Sequence, residues 1–243
     1  MRVRVNHKPP TLATEWRFQL MIVARVVVLA VLGAFFFGAS VVQAQQEFPP
    51  PQGKGRVVVL SSGQSGPSHY ADVARDIALL GYDVVMFDGN TEEGTHGAAV
   101  RTAIQEAQGM PHALPGKVAL VGFSLGGGMS LYYGTPWSDQ VAGVVVWYPA
   151  NSFIRDVPGF ASRLQVPVVV LAGGRDQYDH ACCTAANDTA LQSAALAAGK
   201  SFALTIYPDA DHDFVKGGFN YNAKDYDDGM KRTADALKLF FAN

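Results

Sequence analysis

The chain has 243 residues, 49% of them hydrophobic and 16% charged, with a formal net charge of −2. That balance excludes a disordered or fibrous protein and fits one globular domain around one core.

Residues 1–44 read as a secretory signal. Basic residues up to Arg25 precede the apolar run VVVLAVLGAFFFGASVV, and Val42-Gln43-Ala44 sets small side chains at the two positions a signal peptidase reads. Translation from Met21 leaves a 24-residue peptide of ordinary proportions. An uncleaved anchor is the rival reading, but the 17 residues from Val26 to Val42 include two glycines and lie at the short limit for crossing a bilayer, which favours cleavage. No twin arginine precedes the run and no cysteine sits at the cut, so neither a Tat signal nor a lipoprotein is indicated. Removing this segment takes five of 19 basic residues and one of 21 acidic ones. The remainder is acidic, with no basic patch for nucleic acid and no attraction to an anionic membrane, and is expected in the periplasm or outside the cell.

Next, QQEFPPPQGKG (45–55) holds three prolines and two glycines and reads as an extended lead-in, so folding is expected to begin at Arg56. From there apolar runs of strand length alternate with segments of helical period. RVVVL (56–60) is followed by HYADVARDIALLG, in which Tyr70, Val73, Ala74, Ile77 and Leu80 share one helical face, and Gly81 ends that helix. YDVVMF (82–87) comes next, then the helix THGAAVRTAIQEAQ, then KVALVGF (117–123) and a helix from Leu125 to Tyr133. VAGVVVWY (141–148) and VPVVVLA (166–172) are further strands; TALQSAALAAG is a helix, FALTIY (202–207) the last strand. Residues 226–241 form a closing helix with Met230, Ala234, Leu237 and Phe241 facing inward. Strands this apolar are buried on both faces, and strands alternating with helices pair in parallel through right-handed crossovers. The prediction is a single α/β domain over 56–243: a mostly parallel, doubly wound sheet with helices on both faces.

In such sheets ligands gather at the carboxyl ends of the strands. The loop after KVALVGF begins Gly122-Phe123-Ser124-Leu125-Gly126, a G-x-S-x-G in which a sharp strand-to-helix turn presents Ser124 and glycines relieve the crowding. VPVVVLA opens into Gly173-Gly174-Arg175-Asp176, and FALTIY into Pro208-Asp209-Ala210-Asp211-His212-Asp213. The order Ser124, Asp176, His212 is that of α/β-hydrolases, with serine as nucleophile, histidine as base and aspartate as its orienter. Asp179 is the reserve acid; Asp209, Asp211 and Asp213 lie too close to His212 in sequence to come from the preceding strand's loop. Of the other histidines after residue 44, namely His69, His96, His112 and His180, none directly follows a late strand. The backbone N–H of Leu125 and, from Ser61-Ser62-Gly63-Gln64-Ser65-Gly66, that of Gln64 are the expected oxyanion donors. The stretch NSFIRDVPGFASRL (151–164) follows a strand end, which makes Phe153 and Phe160 candidate pocket residues. Neighbouring Cys182 and Cys183 cannot join distant segments, and a ring between them is strained. The expectation is one cysteine buried as a small hydrophobe and one at a helix start, with a redox or metal pair as the alternative, for which further Cys/His metal ligands at motif spacing are missing.

GFSLGGG, GGRDQY with its nearby cysteine, YPDADHDF and YNAKDYDDGMKRTADALKLF together resemble the dienelactone hydrolase family of α/β-hydrolases. The histidine segment carries most of the likeness: the family form Y-P-G-A-x-H-x-F is matched by Tyr207, Pro208, Ala210, His212 and Phe214. The resemblance implies the same three residues, Ser124, Asp176 and His212, but with serine where founding members use cysteine. A hydroxyl must be deprotonated at the moment of attack, whereas a thiol is readily held as thiolate. That difference points to a broader esterase acting on a small ester or lactone, with no cofactor or metal. Arg75, Arg101, Arg155 and Arg175 do not single out a pair for a lactone carboxylate. Acyl transfer by the same triad and an inactive hydrolase-like binding protein are the alternatives, and oligomeric state is not legible.

Overall fold

The computed structural model describes residues 45–91 and 94–242, so the expected export signal lies outside the described residues. Seven strands form one sheet: β1 (Gln46–Phe48), β2 (Val57–Ser61), β3 (Asp83–Phe87), β4 (Val118–Phe123), β5 (Val141–Trp147), β6 (Val168–Gly173) and β7 (Phe202–Tyr207). Their order is β1-β3-β2-β4-β5-β6-β7. β2 to β7 run parallel, while β1 pairs antiparallel to β3 with Gln46 opposite Met86 and Phe48 opposite Val84. Ordered pairing therefore begins ahead of Arg56. β1 is an edge strand of three residues that the prolines at 49–51 stop, because proline has no N–H for a ladder.

Helices α1 (Ala71–Ala78), α2 (His96–Ala107), α3 (Ser124–Met129), α4 (Val157–Ser162), α5 (Ala185–Ala197) and α6 (Ala223–Phe241) cover the sheet. The period-2 alternation of each strand sorts its residues between two cores. Val57 and Val59 face the layer built with α2, α4 and α5, and Val58 and Leu60 face the layer built with α1 and α6. Side-chain caps start three helices: Asp156 accepts from the Gly159 N–H, Thr184 from that of Asn187, and Asn222 from those of Lys224 and Asp225. The inward face of α6 is rotated from the expected one: Tyr226, Gly229, Thr233, Ala236, Leu237 and Phe240 are buried, while Met230, Ala234 and Phe241 are only partly so. Leu80, expected on the buried face of α1, is exposed beyond its end.

Candidate active site

β4 ends at Phe123 in extended conformation, and the next residue, Ser124, has φ 49° as the first residue of α3. A Cβ at Gly126 would lie 2.3 Å from the Ser62 carbonyl oxygen, and one at Gly122 would lie 2.6 Å from that of Gly126. The two glycines of the motif therefore let α3 pack against the end of β2 and against β4. Ser124 takes the strained backbone at the point where the first turn of α3 leaves N–H groups unpaired.

His212 follows β7 and Asp176 follows β6. His212 Nδ1 lies 2.7 Å from Asp176 Oδ2, and His212 Nε2 lies 3.0 Å from Ser124 Oγ. Facing a carboxylate, Nδ1 carries the proton and donates it, which leaves Nε2 to accept from the serine hydroxyl. All three residues are at most 6% exposed. Asp176 also accepts the Tyr178 N–H through Oδ1, so both its oxygens are held. The Tyr178 ring stacks on the imidazole at 4.3 Å and 5°, and Tyr148 meets it edge-on at 4.8 Å. Asp179 points its exposed side chain toward His180, not toward His212. Asp209 pairs with Arg175, and Asp211 accepts the His212 N–H.

Behind the imidazole is a second polar group that the sequence did not reveal. Asp213, buried with φ 64°, accepts from His69 Nε2 at 2.9 Å, from the Phe219 N–H at 2.9 Å and from the Tyr148 hydroxyl at 3.3 Å. Tyr148 also bonds to Tyr70, whose hydroxyl meets the backbone of Gly63. Burial first, then the Asp213 carboxylate among nearby charges, holds both phenols above their ordinary range, so they remain hydroxyls. The non-glycine residues with positive φ among the described residues are Ser124, Tyr148, Asp179, His180, Ala181 and Asp213, and every one lies on this rim.

Cys183 is buried, as expected of one cysteine of the pair, but it is not a lone thiol. Cys182 and Cys183 form a disulfide with each other, directly after the left-handed residues Asp179–Ala181. The Cys182 carbonyl accepts the N–H groups of Asn151 and Ser152, and Cys183 is fully buried beside Asp176 and His212. Bonded to its neighbour, Cys183 offers no thiolate to a metal there.

In the β2 loop the Ser62 N–H bonds to Phe87, the Gly66 N–H bonds to Gly63, and the Gly63 backbone meets Tyr70. The N–H groups of Gln64 and Ser65 remain, and both residues line a small void with Ser124, Tyr178 and His212. Leu125, the residue after the serine, lines a separate cleft of about 620 Å³ together with Thr91, His96, Met129, Tyr133 and Phe153. Phe160, expected with Phe153 at a pocket, is 3% exposed in the core and stacks on Tyr132 at 5.5 Å and 8°. It sits on α4 beneath the loop, so it packs and does not line the cleft.

Residues 86–241 match the family model described as dienelactone hydrolase family. Among solved structures, the dienelactone hydrolase-like promiscuous phosphotriesterase P91 from metagenomic libraries is 17% identical with a TM-score of 0.68, covering 81% of this chain and 92% of that one. One of two fungal esterases from Rhizomucor miehei is 14% identical with a TM-score of 0.66, over 82% of this chain and 79% of its own. Est1E from Butyrivibrio proteoclasticus is 13% identical with a TM-score of 0.61, over 82% and 92%. At these identities the likeness is one of fold. The search of curated proteins finds no match.

Proposed function

The chain belongs to the dienelactone hydrolase family and is a carboxylic ester hydrolase, and from that premise we propose that Ser124, His212 and Asp176 carry the reaction through an acyl-enzyme. The observation that carries the reading is the continuous path from Ser124 Oγ to His212 Nε2 (3.0 Å) and from His212 Nδ1 to Asp176 Oδ2 (2.7 Å). His212 takes the serine proton as Oγ attacks the ester carbonyl, then returns it to the departing alcohol; water repeats the cycle and frees the acid. Asp176 keeps the imidazole in the tautomer that accepts at Nε2 and stabilises its charged form. The N–H groups of Leu125 and Gln64 meet the oxyanion, each contributing on the order of 3 kcal/mol to the barrier reduction.

The substrate is a small, uncharged ester or lactone. The cleft beside Leu125 is lined by Met129, Tyr133 and Phe153, with the imidazole of His96 and no lysine or arginine among the described residues. That lining suits an apolar or aromatic portion and offers no guanidinium or ammonium to a free carboxylate. The N-terminal 44 residues export the enzyme to the periplasm or beyond, where it acts without stable membrane attachment.

A fluorophosphonate probe tests the nucleophile. The wild-type chain is expected to be labelled and to lose hydrolysis of short p-nitrophenyl esters in step, and Ser124→Ala is expected to take no label and to fall by about 10⁴-fold or more in kcat. Label persisting in Ser124→Ala, or ester hydrolysis at the wild-type rate, overturns the assignment.

A further inference from the structure

At the amino end of the parallel strands, opposite the catalytic rim, lies another imidazole–carboxylate group. Glu47 comes from β1, Asp83 is the first residue of β3, and His112 lies in the loop before β4. One ligand atom from each lies within 4.8 Å of the others, and Glu47 Oε1 is 3.0 Å from His112 Nδ1. Asp83 is 0% exposed, neither of its carboxylate oxygens receives a hydrogen bond from a donor group, and the side chain within hydrogen-bond reach of it is the Glu47 carboxyl, another acceptor. Among the described residues no lysine or arginine pairs with either acid. A buried carboxylate without donors is costly, and a second acid beside it deepens the cost. Burial first and then Glu47 push the Asp83 carboxyl up to about 6.

We infer that Glu47, Asp83 and His112 form a site for one divalent transition-metal ion of the zinc class, which ties the edge strand β1 to β3 and to the loop before β4. Two carboxylates and a neutral imidazole carry two negative charges, which one such ion cancels. The nitrogen donor favours zinc over magnesium or calcium, which prefer all-oxygen shells. Tetrahedral zinc needs donors about 3.3 Å apart, given Zn–N and Zn–O lengths near 2.0–2.2 Å, so the three side chains close on the ion by small rotations. The His112 side chain is 43% exposed, which gives the ion a path in and water the fourth position.

The test uses the full chain, stripped with EDTA and dialysed, then titrated with Zn²⁺, Mg²⁺ or Ca²⁺ by calorimetry, with thermal melts in parallel. One Zn²⁺ per chain is expected to bind at least 100-fold more tightly than the other two ions and to raise Tm, with ester hydrolysis unchanged at saturation. Asp83→Asn and His112→Ala are each expected to weaken zinc binding more than tenfold and to abolish the rise in Tm; because His112 is near the surface, its variant keeps the fold. Absence of zinc binding by the wild type, or equal binding by both variants, overturns the proposal. Zinc that inhibits hydrolysis and still binds both variants belongs at Asp176 and His212, which also overturns it.

Discussion

Two ends of one sheet each hold a histidine against a carboxylate, at 2.7 Å between His212 and Asp176 and at 3.0 Å between His112 and Glu47. What separates them is the third member. At the carboxyl end it is a hydroxyl, Ser124 Oγ, which puts a transferable proton on the free imidazole nitrogen. At the amino end it is a second acid, Asp83, which brings only acceptors to the group. The rim is also wired on every side: Asp176 receives two donors, and the imidazole lies between two tyrosine rings. A histidine–acid pair therefore has no fixed meaning. On the readings proposed above, a neighbouring hydroxyl makes it a proton relay, and a neighbouring carboxylate makes it a place for a cation.

The strongest way to break this comparison is to remove the acid at each end. Asp176→Asn is expected to lower kcat by about 10⁴-fold, because an amide at that position favours the wrong imidazole tautomer, while leaving the fold intact. Glu47→Gln is expected to leave kcat within a factor of two, since β1 lies far from the rim in the sheet order. Steady-state hydrolysis of one p-nitrophenyl ester by both variants decides the matter; equal losses would mean that the two pairs do not differ in role.

A smaller effect is expected from the Cys182–Cys183 bond, which only the rim possesses. It directly follows Asp179, His180 and Ala181, which are all left-handed and begin just past Asp176. Reduction lets these residues relax and loosens the backbone that carries the acid. A displacement near 1 Å at a catalytic group costs about 100-fold, so kcat is expected to fall by 10- to 100-fold on reduction, with the far-ultraviolet spectrum unchanged. Thiol titration confirms that both sulfurs are free; an unchanged kcat at that point would leave the bond without influence on the relay.

The parts of this molecule that were legible in its sequence are those that local rules dictate. β2 to β6 are apolar runs because both faces of the parallel sheet are covered there, whereas β7 at the edge is buried only at Phe202 and Tyr207, and Ser124, Asp176 and His212 follow the ends of β4, β6 and β7. Gly122 and Gly126 are forced by backbone contacts within a few residues and against the adjoining strand. The rest depends on distance across the chain. β1 is three residues long and exists only because β3 is there to pair with it. His69 meets Asp213 across 144 positions, and no spacing rule links them. Phe153 and Phe160 look alike in a loop, yet the start of α4 at Val157 turns one toward the cleft and buries the other on Tyr132. Met230 and Ala234 follow a helical period that is correct in spacing and one step away in phase from the face that Gly229 and Thr233 bury.

The smallest expected effect concerns how the rim disposes of a surplus acid of its own. Asp188 on α5 is 0% exposed, and burial first, then the nearby charge of Asp176, holds its carboxyl well above the usual range. Its Oδ1 accepts from Asn151 Nδ2, while Asp188 Oδ2 and Asn151 Oδ1 are both left without a partner. A proton on the carboxyl removes the buried charge and adds an O–H donor beside the Asn151 amide. A raised acid pKa in the folded state gives stability that is complete below the unfolded value, near 4, and that declines as pH rises toward the folded one. Asp188→Asn carries a permanent amide donor and has no proton to lose. It is therefore expected to match the wild type at pH 4 and to exceed it by about 1–3 kcal/mol at pH 8, measured by urea unfolding. Parallel stability curves would mean that Asp188 is ionised when folded. Among the described residues neither Asp83 oxygen receives a donor as Asp188 does from Asn151, and there the proposed metal ion would offset the surplus charge.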